Sequence, residues 1–375
     1  MRLPMLAFRT VNLTGRLQFH PMALLWSDLP AAVLSALRDG AVIPAHPLAL
    51  YASRKLDPRR QRALTRYYID AGSGGLAVGV HSTQFAIRET GLYEPVLKLA
   101  ADTARDWAAG KPLVLVAGLS GRTAQAKKEA ETALGLGYHA AMLSLAPMKG
   151  ASIDELVEHC AAVAGVMPLV GFYLQTAVGG IPLPMEFWKR FAEIPNVVAI
   201  KMAPFNRYRT LDVIRGVVAA RAEDRVTLYT GNDDHIVLDL AVPFDIQRGS
   251  ETVRMRIKGG LLGHWSVWTK SAVELHARIR AAIEAGRVDD ALLALDAKVT
   301  DANSAFFDVA HDFAGCIPGC HEVLRRQGLL EGLWCLDPHE TLSPGQAEEI
   351  DRIYATYPEF ADDAFVRANL ERWLA

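Results

Sequence analysis

The sequence predicts a closed (β/α)₈ barrel with an N-terminal extension and a C-terminal helical appendage. Three observations carry that expectation. Eight short apolar, strand-like runs recur along the chain, helical patterns lie between most of them, and the repeat is about 30 residues. The 375 residues are 51% hydrophobic, enough for a large core. A doubly wound open sheet is the alternative arrangement of the same pattern.

The runs are "AVIPA" (41–45), "GLAVGV" (75–80), "PLVLVAG" (112–118), "HAAMLSL" (139–145), "PLVGFY" (168–173), "NVVAIK" (196–201), "VTLYTG" (226–231) and the less regular "KGGLLGHWS" (258–266). Short β-branched runs bounded by turn residues read as buried strands. Between them, "LDPRRQRALTRYYIDAG" opens on an Asp cap and a proline and stops at glycine. "TAQAKKEAETALGLG" reads as a threonine-capped helix, and "SIDELVEHCAAVAG" sets Ser152 and Glu155 at capping-box spacing. "LPMEFWKRFAEI" and "YRTLDVIRGVVAARAED" have the helical period. "AVPFDIQRGSETVRMRIKGG" reads as an insertion before the last strand.

These limits give an N-terminal extension over 1–40, a barrel over 41–270 and a helical region over 271–375. The extension carries one short helix, "SDLPAAVLSALRDG". The final region reads as helices packed on the barrel.

Composition narrows the function. Basic and acidic residues number 40 and 42, with no basic block or aromatic-interleaved stripe, so no nucleic-acid partner is expected. "MRLPMLAFRT" is too short in apolar residues before Arg9 for a secretory signal. The uncharged stretch Cys160 to Met185 is broken by prolines and glycines, so no membrane span is expected either. Four cysteines in so long a chain do not form a disulfide framework, and a cytoplasmic location is expected.

The chemistry centres on "NVVAIKMAPFN". A strand that runs into Lys201 sets a charged amine against a core, where a lowered pKa would make it a nucleophile toward a carbonyl. The plain alternative is a surface lysine just past the strand. Tyr173 ends the preceding strand, 28 residues earlier, or one barrel unit. A phenol there can shuttle protons for imine formation; the alternative is a half-buried aromatic bonded to backbone.

The "GFY…VVAIK" pair resembles the dihydrodipicolinate synthase and N-acetylneuraminate lyase superfamily of Schiff-base-forming class I aldolases. "YTGND", "GGLLGHWSV" and "GCIPGCHEVLRRQGLL" resemble that family's later motifs, over roughly residues 40 to 345. The resemblance implies that Lys201 forms an imine with a 2-oxo acid, that Tyr173 relays protons, and that no cofactor is needed. It implies a homo-oligomer, dimer or tetramer. Gly231, Asn232 and His264 are expected to line the substrate site.

Several residues depart from the pattern. The family's "GTTGE"-type turn reads "GVHSTQF" here, with Val80 and His81 in place of paired threonines. Gly79, Ser82 and Thr83 are expected to bind the substrate carboxylate through amides and hydroxyls, and His81 to serve as an acid/base titrating near neutrality. Met148 and Lys149 stand where the synthase has a tyrosine, and Val178 where it has an arginine. The expected activity is therefore cleavage, condensation or dehydration at a 2-oxo acid, sugar-derived, and not dihydrodipicolinate synthesis. Two alternatives stay open. One is a metal-dependent lyase using Asp233, Asp234 and a histidine; the other is a catalytically silent barrel that binds a sugar acid or a partner. Metal ligation is not the expectation: "NDDHI" reads as an acid-rich helix start, and Cys316, Cys320 and His321 fit no zinc spacing and read as helix packing. "GSGG" (72–75) precedes its strand and is no dinucleotide fingerprint.

Overall fold

A computed structural model describes residues 9–11, 17–19 and 23–375; "MRLPMLAF" lies outside them. Eight parallel strands form the barrel: β1 (Val42–Pro44), β2 (Gly75–Val78), β3 (Val114–Leu119), β4 (Ala140–Leu143), β5 (Leu169–Leu174), β6 (Val197–Ala203), β7 (Thr227–Thr230) and β8 (Ile257–Leu262). From β2 to β8 each strand pairs with the next, and β8 pairs with β1. Closure between β1 and β2 is made by the Gly74 amide on the Val42 carbonyl (3.0 Å) and the His46 amide on the Ala77 carbonyl (2.8 Å). The open-sheet alternative is thereby excluded.

Local sequence explains the helices that surround the sheet. Asp57 caps Pro58–Ala71, accepting from the Arg59 and Arg60 amides at 3.0 and 3.1 Å. Ser152 and Glu155 form the expected capping box of Ile153–Ala164. Thr123 is the first residue of its helix and not the cap; its hydroxyl meets His159 Nδ1 at 2.9 Å.

The N-terminal helix Ala31–Asp39 closes the lower mouth of the barrel. Its Val33 and Leu37 share one buried cluster with inward-facing Ile43, Ala77, Val116, Val170 and Phe172. Tyr229, on β7, donates to the Leu37 carbonyl at 2.7 Å. The segment before β8 holds a hairpin, Phe244–Arg248 paired with Glu251–Met255, so the insertion is a folded ribbon. After β8, helices Thr269–Glu284, Leu295–Phe306, Cys316–Arg326, Gln346–Thr356 and Asp363–Leu374 wrap the barrel. Buried Asp362 ties the last of these back to it, accepting from the Tyr67 hydroxyl (2.7 Å) and the Lys270 amide (3.0 Å). No helix among the described residues is long and apolar enough to cross a membrane.

Candidate active site

The upper ends of the strands surround a cavity of about 60 Å³, lined by residues that include Val80, His81, Ser82, Phe172, Gln175, Lys201, Gly231, Asp233, Cys316, Cys320 and His321. It sits where barrel enzymes keep their chemistry, at the C-terminal face of the sheet.

Strand parity puts Lys201 there. Ala199, Lys201 and Ala203 face the barrel interior while Ile200 and Met202 pack outward. The lysine lies inside its strand, which runs on to Ala203, and is only 7% exposed. It is therefore not the surface lysine of the plain reading. Gly231 makes room for it: a Cβ there would stand 2.6 Å from Lys201 Cε. Among the described residues Lys201 has no hydrogen-bond or ion-pair partner; its Nζ lies 4.6 Å from the Phe172 ring centroid. Burial pushes its pKa down to about 8, against an upward pull from Asp233.

Asp233 entered the sequence reading only as a ligand in the metal-dependent alternative, not as an acid/base. It is 4% exposed, lines the same cavity and accepts from the His264 amide at 2.8 Å. Burial pushes its carboxyl up to about 7, although that hydrogen bond and Lys201 favour the anion. A buried amine and a buried acid thus share one small space, with their protonation equilibria drawn together. The available signal was position: Asp233 is two residues past the glycine that accommodates the lysine.

Tyr173 requires a correction. Parallel pairing sets Phe172 beside Lys201 and Tyr173 beside Met202. Laterally paired residues share a face, so Tyr173 points outward. It packs on Trp188 at 5.3 Å, and its hydroxyl accepts from the Leu183 amide at 3.1 Å. It does not line the cavity. The physical reason is a register shift at Leu169/Val170, where the β6 partner jumps from Val197 to Ala199.

The turn after β2 divides its residues between scaffold and cavity. His81 and Ser82 line the cavity. Thr83 does not: fully buried, its hydroxyl donates to the His46 carbonyl (2.7 Å) and accepts from the Gly79 amide (2.9 Å). Gly79 adopts φ +79° and shapes the turn without lining the cavity. Desolvation, with a smaller effect of Lys201, lowers the His81 pKa to about 4, which favours the neutral imidazole.

Asn232 is likewise structural. Its side chain accepts from the Phe205 amide (3.1 Å) and donates to Thr210 Oγ1 (3.1 Å) and Asp239 Oδ2 (2.9 Å), beside the cavity but not in it. His264 packs edge-on against Phe306 at 4.9 Å and does not line the cavity. Burial lowers its pKa to about 3. Cys316, Cys320 and His321, expected only to pack their helix, all face this cavity. The residues of "NDDHI" diverge: Asp233 turns to the cavity, while His235 Nδ1 lies 3.1 Å from Asp296. No group of three or more His, Cys, Asp or Glu poised to hold a metal is found among the described residues.

A model of the dihydrodipicolinate synthetase family matches residues 40–355. The chain belongs to that family. Its members include lyases and aldolases. A 4-hydroxy-tetrahydrodipicolinate synthase of Halorhodospira halophila is 25% identical over 180 residues, which are 48% of this chain and 57% of that relative. The matched segment thus spans little more than half of the curated relative. Similar solved structures include a dihydrodipicolinate synthase of Oceanobacillus iheyensis (TM-score 0.71, 14% identity, 88% of this chain and 99% of that one). A chloride-inhibited dihydrodipicolinate synthase of Acinetobacter baumannii complexed with pyruvate gives TM-score 0.68 at 19% identity, over 84% and 98% of the two chains. CdNal of Clostridium difficile in complex with mannosamine gives 0.67 at 14%, over 85% and 99%. At these identities the structures speak for the fold.

Proposed function

We propose that the protein is a Schiff-base-forming lyase that cleaves or dehydrates a 2-oxo acid at Lys201. The observation that carries this reading is the buried amine without an ion-pair partner, seated against Gly231 and sharing its cavity with Asp233. Desolvation favours the neutral amine, which is the nucleophile.

The steps follow from the groups present. The Lys201 amine attacks the 2-oxo carbon. The carboxyl of Asp233, held partly protonated by burial, gives a proton to the departing hydroxyl, and water leaves as the imine forms. The protonated imine then draws electrons from C3. If the C3–C4 bond breaks, the Asp233 carboxylate takes the C4 hydroxyl proton, an aldehyde departs, and the remaining enamine takes a proton at C3. If Asp233 instead takes a proton from C3 and passes it to the hydroxyl leaving C4, water is lost. Water then hydrolyses the imine and frees product and Lys201. Asp233 thereby takes the role that the family resemblance had given to Tyr173. His81, Ser82 and nearby backbone amides orient the substrate carboxylate.

The cavity favours a small reacting portion. Its roughly 60 Å³ hold about four to six water-sized groups, which suits a pyruvyl unit. Among the described residues that line the cavity Lys201 is the only lysine or arginine, so a second carboxylate on the substrate tail would lack a cation there. That argues against dihydrodipicolinate synthesis and for an uncharged tail, such as the hydroxylated chain of a sugar-derived acid. A homo-oligomer is part of the same reading by family resemblance.

The test is borohydride reduction during incubation with a panel of 2-oxo acids, read by intact mass. A stable gain matching reduced pyruvate is expected. No gain with any member of the panel would reject imine chemistry.

A further inference from the structure

His321 lines the catalytic cavity and has no part in the mechanism above. It belongs to helix Cys316–Arg326, so the C-terminal region supplies it, not the barrel. It is 1% exposed. Nδ1 lies 3.4 Å from the Leu333 carbonyl oxygen. A carbonyl only accepts, so this nitrogen carries the proton. The other nitrogen, Nε2, is buried and has no hydrogen-bond partner among the described residues. In a neutral imidazole with its proton on Nδ1, Nε2 is an acceptor. Burial holds the ring neutral, with its pKa lowered to about 4.

The surroundings offer that acceptor little. Phe307, Ile317, Cys316 and Cys320 line the same cavity, and burial keeps both thiols protonated and only weakly polar. An unpaired buried acceptor is costly, and native structures rarely keep one without a reason. A ligand that donates a hydrogen bond satisfies it.

We infer that His321 is a specificity residue whose Nε2 accepts a hydrogen bond from a hydroxyl on the substrate tail, so that hydroxylated 2-oxo acids are preferred over their deoxy counterparts. This rests on the imine reading of the site. The selectivity follows from loss: a deoxy substrate fills the same space but leaves Nε2 unpaired.

The test measures half-saturating concentrations for borohydride-trapped adducts of 4-hydroxy-2-oxopentanoate, 2-oxopentanoate and 4-methoxy-2-oxopentanoate, with pyruvate as a reference. For the hydroxylated acid, the whole adduct and the pyruvyl adduct left after cleavage are summed. Wild type is expected to prefer it over 2-oxopentanoate by about 10- to 100-fold, the scale of one unsatisfied buried group. The methoxy acid, which accepts but cannot donate, should bind no better than 2-oxopentanoate. In His321→Leu the preference should shrink to about twofold or less, while trapping of pyruvate shows that the variant still folds.

A wild-type enzyme without preference, or one that takes the methoxy acid as well as the hydroxy acid, overturns the inference. So does full preference in His321→Leu. If that variant fails to fold, His321→Phe takes its place; a wild-type enzyme without preference overturns the inference in either case. Absence of any pyruvate adduct overturns the imine reading itself and this inference with it; an adduct without preference overturns the inference alone.

Discussion

The turn after β2 and the turn after β7 both border the cavity at the barrel mouth, and both alternate between scaffold and cavity. In the first, Gly79 and Thr83 bond internally while His81 and Ser82 line the cavity. In the second, Asn232 bonds internally while Gly231 and Asp233 line it. The difference is charge. The β2 turn presents a neutral imidazole and a hydroxyl; the β7 turn presents a carboxyl whose protonation lies near neutrality. A proton relay needs the second kind of group. On the mechanism proposed above, the relay stands on the β7 side and the β2 side binds.

The sharpest way to break this comparison is to remove the carboxyl. Asp233→Asn should lower kcat by roughly 10²–10⁴-fold, the range for a positioned acid/base. The pH profile carries a second signature. Because the neutral amine attacks, imine formation should rise with pH as Lys201 deprotonates, toward about 8 in wild type. Asp233 raises the lysine's pKa, so its removal should move that rising limb to lower pH. Turnover at the wild-type level, or a limb moving to higher pH, would return the relay to another group.

Substitutions in the β2 turn should be milder. His81→Ala and Ser82→Ala should each raise KM by about tenfold or less, one hydrogen bond's worth, with kcat nearly kept. A 10²-fold fall in kcat for His81→Ala would move the relay to the β2 side.

The smallest catalytic effect is expected at Tyr173. Tyr173→Phe removes the acceptor of the buried Leu183 amide, which costs about 1–3 kcal/mol of stability. Turnover should stay within about twofold. Thermal unfolding and steady-state rates measured together separate the two effects.

The barrel was legible because each strand is a short apolar run between turn residues, and Lys201 because a charge inside such a run is conspicuous. The face of Tyr173 was not legible. A spacing of one barrel unit leaves the side undetermined once a register shift intervenes, and the shift at Leu169/Val170 has no marker such as glycine or proline at Val198. Thr83 and Asn232 looked available because a hydroxyl and an amide suit ligands and scaffolds equally. Only the fold reveals that His46, Gly79, Thr210 and Asp239 already engage them. His321 lay beyond reach for another reason. It enters the cavity from a helix more than a hundred residues downstream of Lys201, through packing that no local pattern encodes.

The central claim is that Lys201 is the nucleophile, and the most direct test is to locate the bond it forms. Wild type and Lys201→Ala are reduced with borohydride in the presence of pyruvate, digested and mapped by peptide mass spectrometry. The account predicts one modified lysine, Lys201, in wild type, and neither adduct nor turnover in the alanine variant. An adduct on a different lysine, or full turnover without Lys201, would contradict it.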